Sequence, residues 1–360
     1  MESQSVLTQT LYAQLRDEAL SYALSIFENG MAGSPYVATI KGRAYIYWQV
    51  PMPQGGTKSR YLGADNPETQ TLVERLRTRK QATDGALSAL SATTRVYLSS
   101  GGAEIEPAHF KIMDWLARHG LFSKGLVVVG SHAFASIGNA LGVRWGTSSR
   151  TTDMDFARPD GIQLAIMGNR ETINVPEIVK ARDPSFSEIC GLDIREPSTS
   201  LLSRKTRVRI DFLTNKTHWS DNKPRFFADL GITAEPLEHM DYLIGKTFPG
   251  LLIGRTHAIP VMLPDPAHFA VHKLIIRRAN GFEQKTKKDI LQATEIIAAL
   301  RENGGESDLL EAVRALPQGG KNRLHRVLPA IPDEDARKII ENILGAPEST
   351  GEPEDVFPGF

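Results

Sequence analysis

A chain of 360 residues with 41% apolar and 23% charged content can bury a substantial core and has room for two or three compact units. Its 42 acidic and 42 basic residues balance, so no global field draws it to nucleic acid or a membrane, and any such surface must be local. The single cysteine, Cys190, excludes an intramolecular disulfide framework and a multi-cysteine zinc cluster. No apolar run approaches the roughly 18–20 residues that cross a bilayer, and residues 1–20 lack a signal-peptide core, so a soluble cytoplasmic protein is expected.

In chain order, residues 5–27 place Leu7, Leu11, Leu15, Ala19, Leu20, Leu24 and Phe27 at helical spacing, with Gly30 and Gly33 ending the helix. "PYVATIKGRAYIYWQVP" reads as a hairpin turning near Lys41-Gly42-Arg43, "MPQGGTKSRYLG" as a loop returning to an extended piece, and residues 67–91 as a second helix. Tyr45, Tyr47 and Trp48 stand among Lys41, Arg43, Lys58 and Arg60, a mixture that stacks bases and holds phosphates. The more ordinary reading is that these aromatics pack the hairpin on its flanking helices.

Residues 107–118 carry Phe110, Met113, Trp115 and Leu116 as a helix stopped by Gly120. "GLVVVGS" is a short apolar strand, and "HAFASIGNALG" a helix closed by Gly142. "TTDMDFA", "IQLAIM" and "RVRIDFLT" read as further strands. From Pro266 the chain is largely helical, and its last residues, rich in Pro, Gly and acid, read as a disordered tail. The expected organisation is α+β: an accessory helix and β-hairpin over 1–95, a core over 96–265, a helical region over 266–345 and a tail over 346–360.

Three places carry chemistry. Gly130-Ser131 lies at a strand-to-helix junction, where backbone amides and the helix dipole favour an anion. Neither a G-x-G-x-x-G nor a Gly-Lys-Ser/Thr accompanies it, and alone it reads first as a helix cap. In "TTDMDFA", strand alternation puts Asp153 and Asp155 on one face and Met154 and Phe156 in the core. Two carboxylates so placed repel unless a cation joins them, which suits magnesium, with manganese as a substitute. Asp333-Glu334-Asp335 has the same spelling, but it follows Pro332 and precedes "ARKIIENIL", so it reads as the acidic first turn of a helix. Asp211 lies on the polar face of "RVRIDFLT" beside Arg209. Alone it is an ordinary salt-bridged strand residue; with Asp153 and Asp155 it completes a two-metal clamp.

The order strand, Gly-Ser, helix, Asp-x-Asp strand, single-Asp strand resembles the nucleotidyltransferase superfamily of DNA polymerase beta. "GSHAFASIGNALGVRW…TTDMDFA" is similar to a bacterial group of nucleotidyltransferase-like proteins, mostly without assigned substrates. The resemblance covers residues 125–213 well and runs more loosely to about residue 300. It implies a polymerase beta-like core, a mixed sheet with flanking helices. It also implies that Gly130 and Ser131 bind the triphosphate of an NTP such as ATP, and that Asp153, Asp155 and Asp211 bind magnesium while an NMP is transferred and pyrophosphate leaves.

"AVHKLIIRRANGFEQKTKKDILQA" is similar to a helix of abortive-infection nucleotidyltransferase toxins. That similarity implies a phosphate contact for Lys273, an orienting role for Asp289, and a toxin or defence role; a solvated basic helix face with Arg277 and Arg278 is the alternative. The gap between Ser131 and Asp153 is longer than in compact members, so Arg144 and Arg150 either reach the triphosphate or belong to a loop that caps the sheet. His132 reads as structural, because two-metal chemistry requires no base. His257, His268 and His272 lack a metal-ligand spacing. Among acceptors, RNA, a tRNA end included, is expected ahead of a protein or small-molecule hydroxyl. A non-catalytic nucleotide- or RNA-binding module on the same fold is the competing reading. The oligomeric state is not legible.

Overall fold

The computed structural model describes residues 1–29, 33–51, 57–146, 151–160, 172–189, 197–218, 222–276 and 283–345. Gly30, Arg150, Cys190, Arg277, Arg278, the strand expected at 162–167 and the tail lie outside them. The chain divides into two compact units, Met1–Asp265 and Pro266–Phe360.

The first unit opens with β1 (Glu2–Ser3) and α1 (Val6–Asn29), followed by β2 (Ser34–Ile40), β3 (Arg43–Pro51) and β4 (Thr57–Ala64). The expected hairpin is therefore two strands of a three-stranded meander, in the order β2-β3-β4. Its first turn works because Lys41 and Gly42 both take positive φ, 49° and 76°, which matches the twist of a two-residue hairpin. Next come α2 (Pro67–Ser99) and α3 (Pro107–Arg118). Asn66 caps α2 by accepting from the Thr69 amide at 2.8 Å, and Pro67 occupies the first turn, where no amide is needed. The helix runs past the expected end at residue 91, because its last turns bury Thr94 and Tyr97 completely and packing overrides modest propensity.

The main sheet is built from β5 (Val127–Val129), β7 (Asp153–Ala157), β8 (Phe186–Glu188), β9 (Ser200–Ser203), β10 (Arg209–Asn215), β11 (Arg225–Phe227), β12 (Ile232–Leu237), β13 (Thr247–Ile253) and β14 (Ala258–Pro264). Three helices, α4 (Gly130–Leu141), α5 (Val175–Arg182) and α6 (Met240–Ile244), fall between these strands, and β6 (Val143–Arg144) pairs with β1. Among the described residues the strand order is β11-β12-β10-β7-β5-β14-β13, with β9 on β10 and β8 on β9. The sheet is mixed: β10 runs parallel to β7 and β12, whereas β5 runs antiparallel to β7. Helices α1 and α2 cover β13 and β14 through Leu15, Tyr22, Leu90, Tyr97, Leu251 and Ile253. Each such buried side chain contributes roughly 1.5–3 kcal/mol. Burial pushes the Tyr12 hydroxyl up to about 12, against the lowering charge of Arg16.

The second unit comprises α7 (Pro266–Ile275), α8 (Glu283–Glu302), α9 (Glu306–Arg314), α10 (Gln318–Val327) and α11 (Glu334–Leu344). Phe269, Val271, Ile296, Ile297, Leu309 and Ile340 are buried. No helix among the described residues is long and apolar enough to cross a membrane.

Candidate active site

The apolar run Val127–Val129 is buried throughout, as a central strand covered on both faces requires. It ends at Gly130, whose φ of +66° lies in the left-handed region that favours glycine. A methyl group there would overlap the Asp155 carboxylate, so the turn and the acid fit together. Helix α4 begins at once, with Val129 as its cap residue and no side-chain cap bond. Ser131 follows Gly130 within the first turn of α4. The turn lays the amides of this helix start beside the acidic strand.

On β7, Met154 and Phe156 are fully buried, and Asp153 and Asp155 are half-buried on the other face. The Phe156 ring packs near Phe122 and Phe212, with centroids 5.9 and 6.4 Å away, which pins the strand. Strand β10 aligns beside it in parallel register, with Asp211 opposite Asp155 and Arg209 opposite Asp153. Partners in register share a face, so Asp153, Asp155, Asp211 and Arg209 all stand on one side of the sheet.

Asp211 is held tightly. Its Oδ1 accepts from Arg209 Nε at 2.7 Å and from the Ser200 hydroxyl, while Arg209 Nη2 reaches Ser200 Oγ at 3.0 Å. The Asp153 amide donates to Thr151 Oγ1 at 3.1 Å, and Thr152 Oγ1 lies 3.2 Å from Asp153 Oδ1. Among the described residues, no three His, Cys, Asp or Glu side chains converge as a group able to hold a metal ion. The structure thus gives the expected trio a common face but turns Asp211 toward Arg209 and Ser200. The donor set itself, three carboxylates with a hydroxyl beside them, is the hard-oxygen chemistry that suits magnesium.

A family model described as nucleotidyltransferase matches residues 108–317, more than half of the chain. The chain belongs to this nucleotidyltransferase family. No curated protein and no solved structure gives a significant match. Membership assigns transfer of a nucleoside monophosphate, with an NTP as substrate, in general terms. The matched span begins inside α3 and takes in Gly130, Ser131, all three aspartates, Lys273 and Asp289, and it leaves β2, β3 and β4 outside.

The remaining candidates of this nucleotidyltransferase are placed as follows. Lys273 on α7 and Asp289 on α8 lie in the second unit and bond to each other, Nζ to Oδ1, at 2.6 Å. Both are largely buried, which overturns the alternative of a solvated basic face at Lys273. The Lys273 ammonium also lies 5.4 Å from the centroid of the Phe269 ring. Arg144 sits on β6, with its backbone paired to Glu2. Trp145 stacks on Phe134 at 4.8 Å and donates to its carbonyl at 2.6 Å, so the start of the long connection is anchored on α4. His268 and His272 are buried in α7.

Two neighbours escaped sequence reasoning. Ser200, opposite Asp211 in the β9–β10 ladder, steadies that carboxylate; a lone serine in "SLLS" carries no signal. His109, in the first turn of α3, lies 3.0 Å from His132, Nδ1 to Nε2, and both rings are buried. Burial pushes the His109 imidazole below its ordinary value, against the raising charges of Glu106 and Asp153.

Proposed function

We propose that the chain is a magnesium-dependent nucleotidyltransferase that moves an NMP from an NTP to an acceptor hydroxyl. The observation that carries this reading is the alignment of Asp211 with Asp155 across β7 and β10, beside a glycine turn into which the Asp155 carboxylate fits. Asp153, Asp155 and Asp211 would hold the ion, with manganese as a substitute. Bound there, magnesium would neutralise the phosphate oxygens and make the acceptor hydroxyl more acidic. The first-turn amides of α4 and the Ser131 hydroxyl face the triphosphate, with the helix dipole adding to the attraction. Arg209 and Ser200 orient Asp211 and offset part of its charge. The acceptor oxygen bonds to the α-phosphorus as its proton leaves to solvent. The bond from that phosphorus to the bridging oxygen breaks, and pyrophosphate departs.

RNA, including a tRNA end, is the acceptor we place first, ahead of a protein or a small molecule. A toxin or defence role rests on the resemblance of the Lys273–Asp289 segment alone. The test is incubation with magnesium and NTPs labelled at the α or γ phosphate, in the presence of total RNA or lysate protein. Transfer of α label but not γ label is expected. Asp153→Ala should lower it on the order of 10²- to 10³-fold, the scale of lost charge stabilisation at a reaction centre. Undiminished labelling by Asp153→Ala overturns the reading. Tight NTP binding without transfer to any acceptor supports the non-catalytic module instead.

A further inference from the structure

The β2-β3-β4 sheet lies outside the nucleotidyltransferase match, and its two faces differ. Ile46 and Trp48 are buried on one face, at 1% and 8% exposure. Alternation puts Tyr45 and Tyr47 on the other. The ladders align Tyr36 with Tyr47 and Tyr47 with Tyr61, so three tyrosines form a row straight across the sheet, with Tyr45 beside them. The Tyr61 ring centroid lies 5.4 Å from that of Tyr47 and 6.2 Å from that of Tyr45. Tyr36 and Tyr61 are about half exposed, at 49% and 55%, whereas Tyr12, Tyr22 and Tyr97 are buried in the core. Four tyrosines on one open face are not what core packing alone would place there.

Charge singles out the same sheet. Residues 33–64 contain Lys41, Arg43, Lys58 and Arg60 and no aspartate or glutamate, in a chain whose acids and bases cancel only when counted as a whole. All four cations are exposed, and none forms an ion pair with a described residue. Arg43 and Tyr45 share the tyrosine face by alternation, and Lys41 sits in the adjoining turn.

We propose that this sheet is a binding platform for single-stranded nucleic acid. The tyrosines stack successive bases, and Arg43 on the same face and Lys41 in the turn meet the phosphates; Arg60 and Lys58, in register with Trp48 and Val50, lie on the opposite face. Stacking uses the face of any base and needs no particular sequence, and a duplex hides those faces. The cationic rim complements a polyanion, and the sheet holds no acid to repel it. An apolar docking partner would not need the charges, and an acidic peptide would not need the aromatic row.

The test uses the full chain and fluorescence anisotropy without NTP. The probes are U15, dT15, a 15-mer abasic strand and a 15-base-pair duplex. U15 and dT15 should bind within a few-fold of each other, and the abasic strand and the duplex at least tenfold more weakly. With two phosphate contacts, log affinity should fall against log salt with a slope of about −1.4. The triple change Tyr36→Ala, Tyr47→Ala, Tyr61→Ala should weaken U15 binding at least tenfold, and the matching Phe changes should retain it, because stacking needs the ring and not the hydroxyl. Equal binding of U15 and the abasic strand by the unmodified protein overturns the proposal without any variant having to fold. Absence of U15 binding at low salt overturns it too, as does displacement of U15 by polyglutamate of equal charge as readily as by dT15. No nucleotide transfer enters this measurement, so its outcome is separate from that of the transferase reading.

Discussion

Asp153-Met154-Asp155 and Asp333-Glu334-Asp335 share a spelling and nothing else. In the first, a strand sends both carboxylates to one face, where a neighbouring strand adds Asp211 in register. In the second, Asp333 caps α11 by accepting from the Ala336 amide at 2.7 Å, and Asp335 pairs with Arg301 at 2.6 Å. The helix start spends its acids on its own orphan amides and on a surface arginine. The strand concentrates like charge, which costs energy unless something else requires it. Backbone conformation, not residue identity, separates the two.

Changes on either side should widen the contrast. Gly130→Ala has the largest expected effect: left-handed backbone costs a non-glycine residue about 1–2 kcal/mol, and the added methyl must displace the Asp155 carboxylate. Thermal unfolding should show that loss, and α-label transfer should fall on the order of 10²-fold or more. Ser200→Ala frees Asp211 from one of its two holders and should reduce transfer by about 10- to 100-fold with little change in melting temperature. Asp333→Ala should cost about 1 kcal/mol in unfolding experiments, the usual value of a lost cap, and leave transfer intact. Asp335→Ala sits lowest, because its partner is on the surface; melting temperature and transfer should both stay at the unmodified values. Lost transfer in Asp333→Ala, or full transfer in Ser200→Ala, would break the contrast.

Much of this site is legible in the residues, for a physical reason. Alternation fixes which side chains share a strand face, so Asp153, Asp155 and Asp211 could be sorted from Met154, Phe156 and Phe212 without a structure. Period two does not say which strands are neighbours. The register that sets Asp211 against Asp155, and Ser200 against Asp211, emerges only from the fold. The same holds for α1 and α2, whose periodicity reveals an apolar face but not that β13 and β14 cover it. Lys273 shows a different failure. Sequence marks it as basic, and only packing shows it largely buried against Asp289. The meander was half legible, since β4 lacks the regular alternation of β3 and its pairing shifts between Ile46 and Tyr47.

The parallel pairing of β7 with β10 has a consequence for when the chain becomes competent. Parallel neighbours cannot be joined by a tight turn, so the chain must leave β7, fold α5, β8 and β9, and return before Asp211 meets Asp155. Closing so long a loop is entropically unfavourable until the intervening contacts exist, and such pairings form slowly. A nascent chain released before residue 211 carries the glycine turn and two of its three aspartates. The complete acidic face therefore exists only once β10 has paired with β7.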